Sequence, residues 1–267
     1  MLVKLMKYEL KATARTLIPL YIALLTFAII NKIFIGTGLA DKFEGFGSIP
    51  FILSIFGYGV TMAAVFIVTF FVIIQRFYKN LLGDEGYLMN TLPVTTITNI
   101  TSKISIATFW NIISGFVAVL SIIIMAFEPN ALGRFFHELF HAFSEGSDKF
   151  GIQFYIVIIE IIIAALVQLI SSVTLIYASM SIGHLFHKHR ILSSFGAFIV
   201  LNLIASAISS AIGVGFSHFD WKNTFSHSQS LYPLHMILLF VILLNLVFFT
   251  AYFIITNYIL KNKLNLE

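Results

Sequence analysis

The chain of 267 residues has no cysteine, few charges and few prolines. Without cysteine there is no disulfide framework, no zinc–cysteine site and no thiol chemistry, and nothing can be said of redox compartment. Only 10% of the residues are charged while 59% are hydrophobic. Ordinary soluble domains are about 25% charged and about 45–50% apolar. A soluble fold with so few charges could not cover its surface, so the apolar excess must face lipid or other helices. The formal charge of +4 does not imply nucleic acid as a partner, because in a membrane chain the placement of Lys and Arg matters more than their sum. No G-x-x-x-x-G-K-[ST] segment is present to cradle nucleotide phosphates.

What the sequence does have is long apolar runs. Segments able to cross about 30 Å of hydrocarbon as helices occur near residues 17–35, 49–75, 104–127, 152–183, 191–215 and 234–260. They predict an all-α, polytopic membrane protein with six transmembrane helices in a single domain, residues 1–267. Pro19, Pro50, Pro129 and Pro233 lie at or near the ends of these runs, where a missing backbone N–H is tolerated, and Pro93 lies in a loop. The first run begins only after Arg15 and is longer than a signal h-region, so the first span is expected to stay in the protein.

Alternate loops differ in basic residues. Lys4, Lys7, Lys11, Arg15, Arg76, Lys79, Lys103, Lys188, Arg190, Lys261 and Lys263 fall on one side, against Lys32, Lys42, Arg134, Lys149 and Lys222 on the other. The positive-inside bias makes the first side cytoplasmic and both termini with it. Residues 1–15 read as a separate amino-terminal interfacial helix, with Lys4, Lys7, Lys11 and Arg15 on one face and Leu2, Val3, Met6 and Leu10 mainly on the other. Such a helix lies on anionic membrane lipid; a basic topogenic flank is the plainer alternative. Small residues at close-packing intervals, Ser206 with Ser210, Ala207 with Ala211 and Ser209 with Gly213, permit close helix contact in the fifth span.

The loop after the second span mixes acids with apolar residues: Asp84-Glu85-Gly86-Tyr87-Leu88, then Thr91-Leu92-Pro93-Val94. A short helix starting near Asp84 and closed by Pro93 would expose Tyr87, Leu88 and Leu92, which need a partner or a lipid bed. This segment resembles the first cytoplasmic loop of bacterial ABC-2 type transporter permeases, and Lys7-Tyr8-Glu9-Leu10-Lys11 is similar to their amino-terminal helix. The resemblance implies that residues 78–102 form a coupling loop docking on a separate ATP-hydrolysing subunit through Asp84, Glu85, Gly86, Tyr87, Leu88, Leu92 and Pro93. It further implies no cofactor in this chain, ATP and Mg on the partner, cytoplasmic ABC ATPase subunits and a second, identical or different permease as partners, and a multi-pass place in the bacterial plasma membrane. A purely structural loop is the lesser alternative, since a turn and short helix need similar residue types.

Three other groups bear on chemistry. His137-Glu138-Leu139-Phe140-His141 matches H-E-x-x-H, in which two histidines one turn apart hold zinc and the glutamate activates water. Yet Leu132, Phe135, Phe136, Leu139, Phe140 and Phe143 make an apolar stripe, so residues 128–151 read as an extracellular amphipathic segment whose wet face carries His137, Glu138 and His141. Glu160 follows at a spacing some zinc peptidases use but lies inside the fourth span. An intramembrane carboxylate is costly unless paired, protonated or facing a polar cavity, and Glu160 shares a helical face with Gln168 and Ser171, a candidate substrate path. The turn holding His184, His187, Lys188, His189 and Arg190 reads as a topology anchor.

The sequence thus points to the permease subunit of an ATP-driven ABC-2 type transporter exporting a lipid, peptide or drug-like substrate, with ATP hydrolysis on a separate subunit. A membrane zinc metallopeptidase built on residues 137–141 and a stand-alone membrane sensor or immunity protein are the alternatives.

Overall fold

The computed structural model describes residues 2–36, 49–83, 86, 94–126, 129–186, 188–217 and 231–263. Every regular element among the described residues is helical: α1 (Leu2–Gly36), α2 (Ile49–Phe77) continued by a π-helical turn (Tyr78–Leu82), α3 (Thr96–Met125), α4 (Pro129–Phe150), α5 (Ile152–His184), α6 (Arg190–Ser217) and α7 (Tyr232–Asn262). Six of these helices, all but α4, are long and apolar enough to cross a membrane. Their outward surfaces carry Ile, Leu, Val and Phe, as lipid requires. The chain divides into two compact units, Met1–Arg76 with Thr101–His137 and Phe77–Ile100 with Glu138–Glu267.

The first unit is organised by one stripe of α1. Glu9, Thr13, Leu17, Tyr21, Leu24, Ala28 and Asn31 recur at intervals of three and four and are all buried. Leu17, Tyr21, Leu24 and Ala28 join Tyr58 and Val65 of α2 and Ile106 and Trp110 of α3 in one core. Apolar burial drives helix association only weakly in lipid, where the tails are as apolar as the side chains, so close packing and hydrogen bonds carry the contact. These bonds form connected chains. Trp110 Nε1 donates to Thr13 Oγ1 at 2.6 Å, and Thr13 donates to the Glu9 carbonyl at 2.8 Å. Thr69 Oγ1 lies 2.7 Å from the Val65 carbonyl, to which it donates its one proton. Ser114 must then donate to Thr69 (2.9 Å) and Tyr21 to Ser114 (2.8 Å). By the same argument Ser121 donates to the Ala118 carbonyl and accepts from Tyr58 at 3.0 Å.

The stripe ends in charge. Glu9 receives Lys103 Nζ on Oε1 and Arg76 Nε on Oε2 at 3.2 Å. The side chains of Glu9 and Lys103 are 8% and 3% exposed, Arg76 30%. This cluster bears on the amino-terminal segment: the structure does not support a separate interfacial helix at 1–15. Leu2–Gly36 is a single helix, and the buried stripe of Glu9 and Thr13 continues without a break into the span. Pro19 lies inside that helix rather than near its end; it removes one intrahelical donor, yet the element runs on through it.

Residues 129–150 form one amphipathic helix, α4, with Pro129 at its first position. Phe135, Phe136, Leu139, Phe140 and Phe143 are all exposed along one arc. Gly151, with φ +58°, lies in the left-handed region and turns the chain into α5.

In the second unit α5 packs against both α7 and α6, and the π-helical turn also meets α5. Phe77 stacks on Tyr177 with ring centroids 3.9 Å apart. Where α5 meets α6, a Cβ on Gly183 would lie 2.4 Å from the Ser194 backbone nitrogen, so only glycine permits that approach.

Candidate functional site

Three helices of the second unit line a half-open cavity of about 590 Å³, within the ~300–1,000 Å³ typical of ligand pockets. α5 contributes Gln168, Ser171 and Ser172; α6 contributes Asn202, Ser206, Ser209 and Ser210; α7 contributes Asn245 and Tyr252. Leu175, Ile176, Phe198, Leu244 and Phe248 supply apolar wall between them. At 1.5 Å per residue Gln168 lies ~24 Å from the start of the 33-residue α5, close to the middle of the helix. Asn202 and Asn245 occupy similar central positions in α6 and α7.

The polar side chains differ in what they bind. Ser172 donates to the Gln168 carbonyl and Asn245 Nδ2 to the Val241 carbonyl, both within their own helices. Ser171 and Tyr252 are 4% and 6% exposed, yet among the described residues neither hydroxyl has a hydrogen-bond partner. Neither hydroxyl oxygen is sealed off by protein, so each is left to whatever occupies the cavity it lines. α6 sharpens the point: no residue of its most apolar stretch is buried, so Asn202 and its serines are covered by nothing on their outer side within the described residues.

Of the residues expected on a substrate path, the structure brings Gln168 and Ser171 to this cavity and leaves Glu160 outside it. Glu160 lies eight residues, ~12 Å, from Gln168 along α5, with Oε2 2.8 Å from His235 Nδ1 of α7 and both side chains 13% exposed. About two turns beyond along α5, Gln153 Oε1 accepts the Leu231 backbone N–H at 3.2 Å. Two polar ties therefore close that end of the α5–α7 pair. Asn202, Asn245, Tyr252 and His235 were missed in the sequence; the available signal was a polar residue near the centre of an apolar run.

The H-E-x-x-H residues lie on the exposed surface of α4. Among the described residues no group of three or more His, Asp or Glu side chains could hold a metal, and Glu160 faces His235 instead of His137 and His141. His141 lies 3.9 Å from Glu145 one turn on, an exposed pair of little energetic weight. Of the loop residues, Asp84, Glu85, Tyr87, Leu88, Leu92 and Pro93 lie outside the described residues, while Gly86 is buried with its N–H on the Gly83 carbonyl at 2.8 Å. In the basic turn His184 is buried, its ring edge-on to Tyr78 at 6.3 Å; Lys188 and His189 are exposed; His187 is outside the described residues.

Composition, six membrane-length helices and a polar cavity at mid-helix mark a multi-pass helical membrane protein. The chain matches no family model, no curated protein and no solved structure.

Proposed function

We propose that the chain is the transmembrane permease subunit of an ATP-driven ABC-2 type transporter in a bacterial plasma membrane, exporting a lipid, peptide or drug-like substrate. The observation that carries the transport reading is the mid-helix cavity, where the Ser171 and Tyr252 hydroxyls have no partner among the described residues, at a depth at which lipid offers them nothing. The ABC-2 assignment rests on the segments around Asp84–Pro93 and Lys7–Lys11. It gains support from the Glu9 cluster, since Arg76 and Lys103 bracket the coupling loop in sequence and both are held by Glu9. In this reading ATP and Mg act on separate cytoplasmic subunits, a second permease completes the membrane domain, and both termini are cytoplasmic. Closure of the ATPases displaces the loop around Tyr87, and the displacement reaches α1, α2 and α3 through Arg76, Glu9 and Lys103.

The test is capture of the ATPase subunit in detergent. Tyr87→Ala or Glu85→Lys is expected to weaken that capture by about 1–3 kcal/mol while sparing insertion, since neither residue falls in an apolar run of the sequence. Wild-type capture and wild-type stimulation of ATP hydrolysis by both variants would remove the ABC-2 assignment. Reporters fused after Glu267 and inserted near Ser147 should be active on opposite sides of the membrane.

A further inference from the structure

We propose that the cavity of α5, α6 and α7 binds an uncharged amphiphile whose head carries hydroxyl or amide groups; this rests on reading the cavity as the substrate path.

The first argument is the charge inventory. No Asp, Glu, Lys, Arg or His lines the cavity. A phosphate or ammonium head entering it would lose its hydration with no opposite charge to replace it, which costs far more than moving a neutral polar group. The ionisable pair of Glu160 and His235 is ~12 Å from Gln168 along α5 and its members face each other, so it offers no spare charge to a ligand in the cavity.

The second argument is hydrogen-bond chemistry. Ser171 and Tyr252 each present a hydroxyl able both to donate and to accept, and Gln168 and Asn202 add amides with both capacities. A wall of mixed donors and acceptors matches a ligand that is itself mixed, such as a sugar hydroxyl or an amide. A phosphate, which only accepts, would leave their accepting capacity unmet, and a quaternary ammonium, which does neither, would leave both capacities unmet. Both residues are mostly buried, so their side chains have little room to rearrange when a ligand arrives.

The third argument is the wall between the polar groups. Phe198, Leu244 and Phe248 line the same space, and Phe248 is stacked with Tyr252 at 6.2 Å. A polyhydroxyl head leading into an alkyl chain satisfies both surfaces; a fully polar solute would leave the aromatic wall against water.

Because the chain has no cysteine, Ser206→Cys introduces a single thiol into the cavity. The full chain is placed in phosphatidylcholine nanodiscs containing a small fraction of monoglucosyl diacylglycerol, phosphatidylglycerol or a cationic trimethylammonium lipid of matched chains. The rate of labelling by a membrane-impermeant methanethiosulfonate is then measured. The glucosyl lipid should slow labelling by about fivefold or more and the charged lipids by less than about twofold. Adding Tyr252→Phe and Ser171→Ala to the Ser206→Cys chain should abolish most of that protection while the unprotected rate stays near that of Ser206→Cys alone. Equal protection by charged lipids, or protection by none, overturns the ligand class and leaves an accessible path. A thiol that cannot be labelled from water, and instead joins two chains by a disulfide on oxidation, shows that a second copy fills the cavity. That result overturns the path reading and the ligand class together.

Discussion

Tyr21 and Tyr252 are tyrosines on membrane-length helices, 7% and 6% exposed, and their hydroxyls have opposite fates. Tyr21 donates into a chain that passes through Ser114 and Thr69 to a backbone carbonyl, so every proton in it has an acceptor. Tyr252 lines a cavity and has no partner among the described residues. Each unit offers a further example of its own tyrosine's situation, although Asn31 Oδ1, Ser54 Oγ and Thr108 Oγ1 of the first unit are buried without a partner among the described residues. In the first, Glu9 is held by Lys103 and Arg76, and Trp110 by Thr13. In the second, Ser171, Tyr252 and Asn202 surround an open space. Where water is absent, a closed network holds helices together and an open one implies an occupant.

The contrast breaks most readily at Glu9. Glu9→Gln leaves the buried Lys103 ammonium without its carboxylate, and unfolding in detergent should show a loss of about 3–5 kcal/mol. Lys103→Met combined with Glu9→Gln should recover part of this, since the uncompensated charge is gone. Full retention of stability by Glu9→Gln alone would mean that the cluster is solvated and ties nothing.

Gly183→Ala comes next. Its Cβ would clash with the Ser194 backbone, so α5 and α6 must separate, with an expected loss of about 1–3 kcal/mol in the same assay. Because α6 forms one wall of the cavity, this variant should also alter labelling of a thiol at Ser206. An unshifted melt with unchanged labelling would place the two helices farther apart than described.

The spans and the amphipathic α4 were legible in the sequence because apolar run length and a 3.6-residue stripe are local properties. The amino-terminal segment misled for a reason that is also physical. Lys4, Lys7, Lys11 and Arg15 make a basic face that suits a membrane surface, but Glu9 lies among the bases, and its destination depends on Lys103, 94 residues away. The same limit applied to the cavity. Gln168 and Ser171 could be placed on one face of a single helix, whereas Asn202 and Tyr252 join them only once α6 and α7 are packed against α5. His235 likewise is an ordinary residue near a helix start until α7 sets it against Glu160.

A smaller effect is expected at α4. His137→Gln with His141→Gln should change stability by less than about 0.5 kcal/mol, because both side chains are exposed on the polar arc of an amphipathic helix. Loss of stoichiometric zinc and of folding together in this variant would instead favour the metallopeptidase alternative.

The most direct test of the contrast between closed and open networks is thermal unfolding of Tyr21→Phe and Tyr252→Phe in the same detergent. Tyr21→Phe removes the first donor of a closed chain and should cost about 1 kcal/mol, lowering the midpoint by about 2–4 °C. Tyr252→Phe removes a hydroxyl that bonds to nothing within the described residues, so its midpoint should equal or exceed that of the wild type. A fall for Tyr252→Phe as large as that for Tyr21→Phe would contradict the account, because it would show that the Tyr252 hydroxyl already serves the fold.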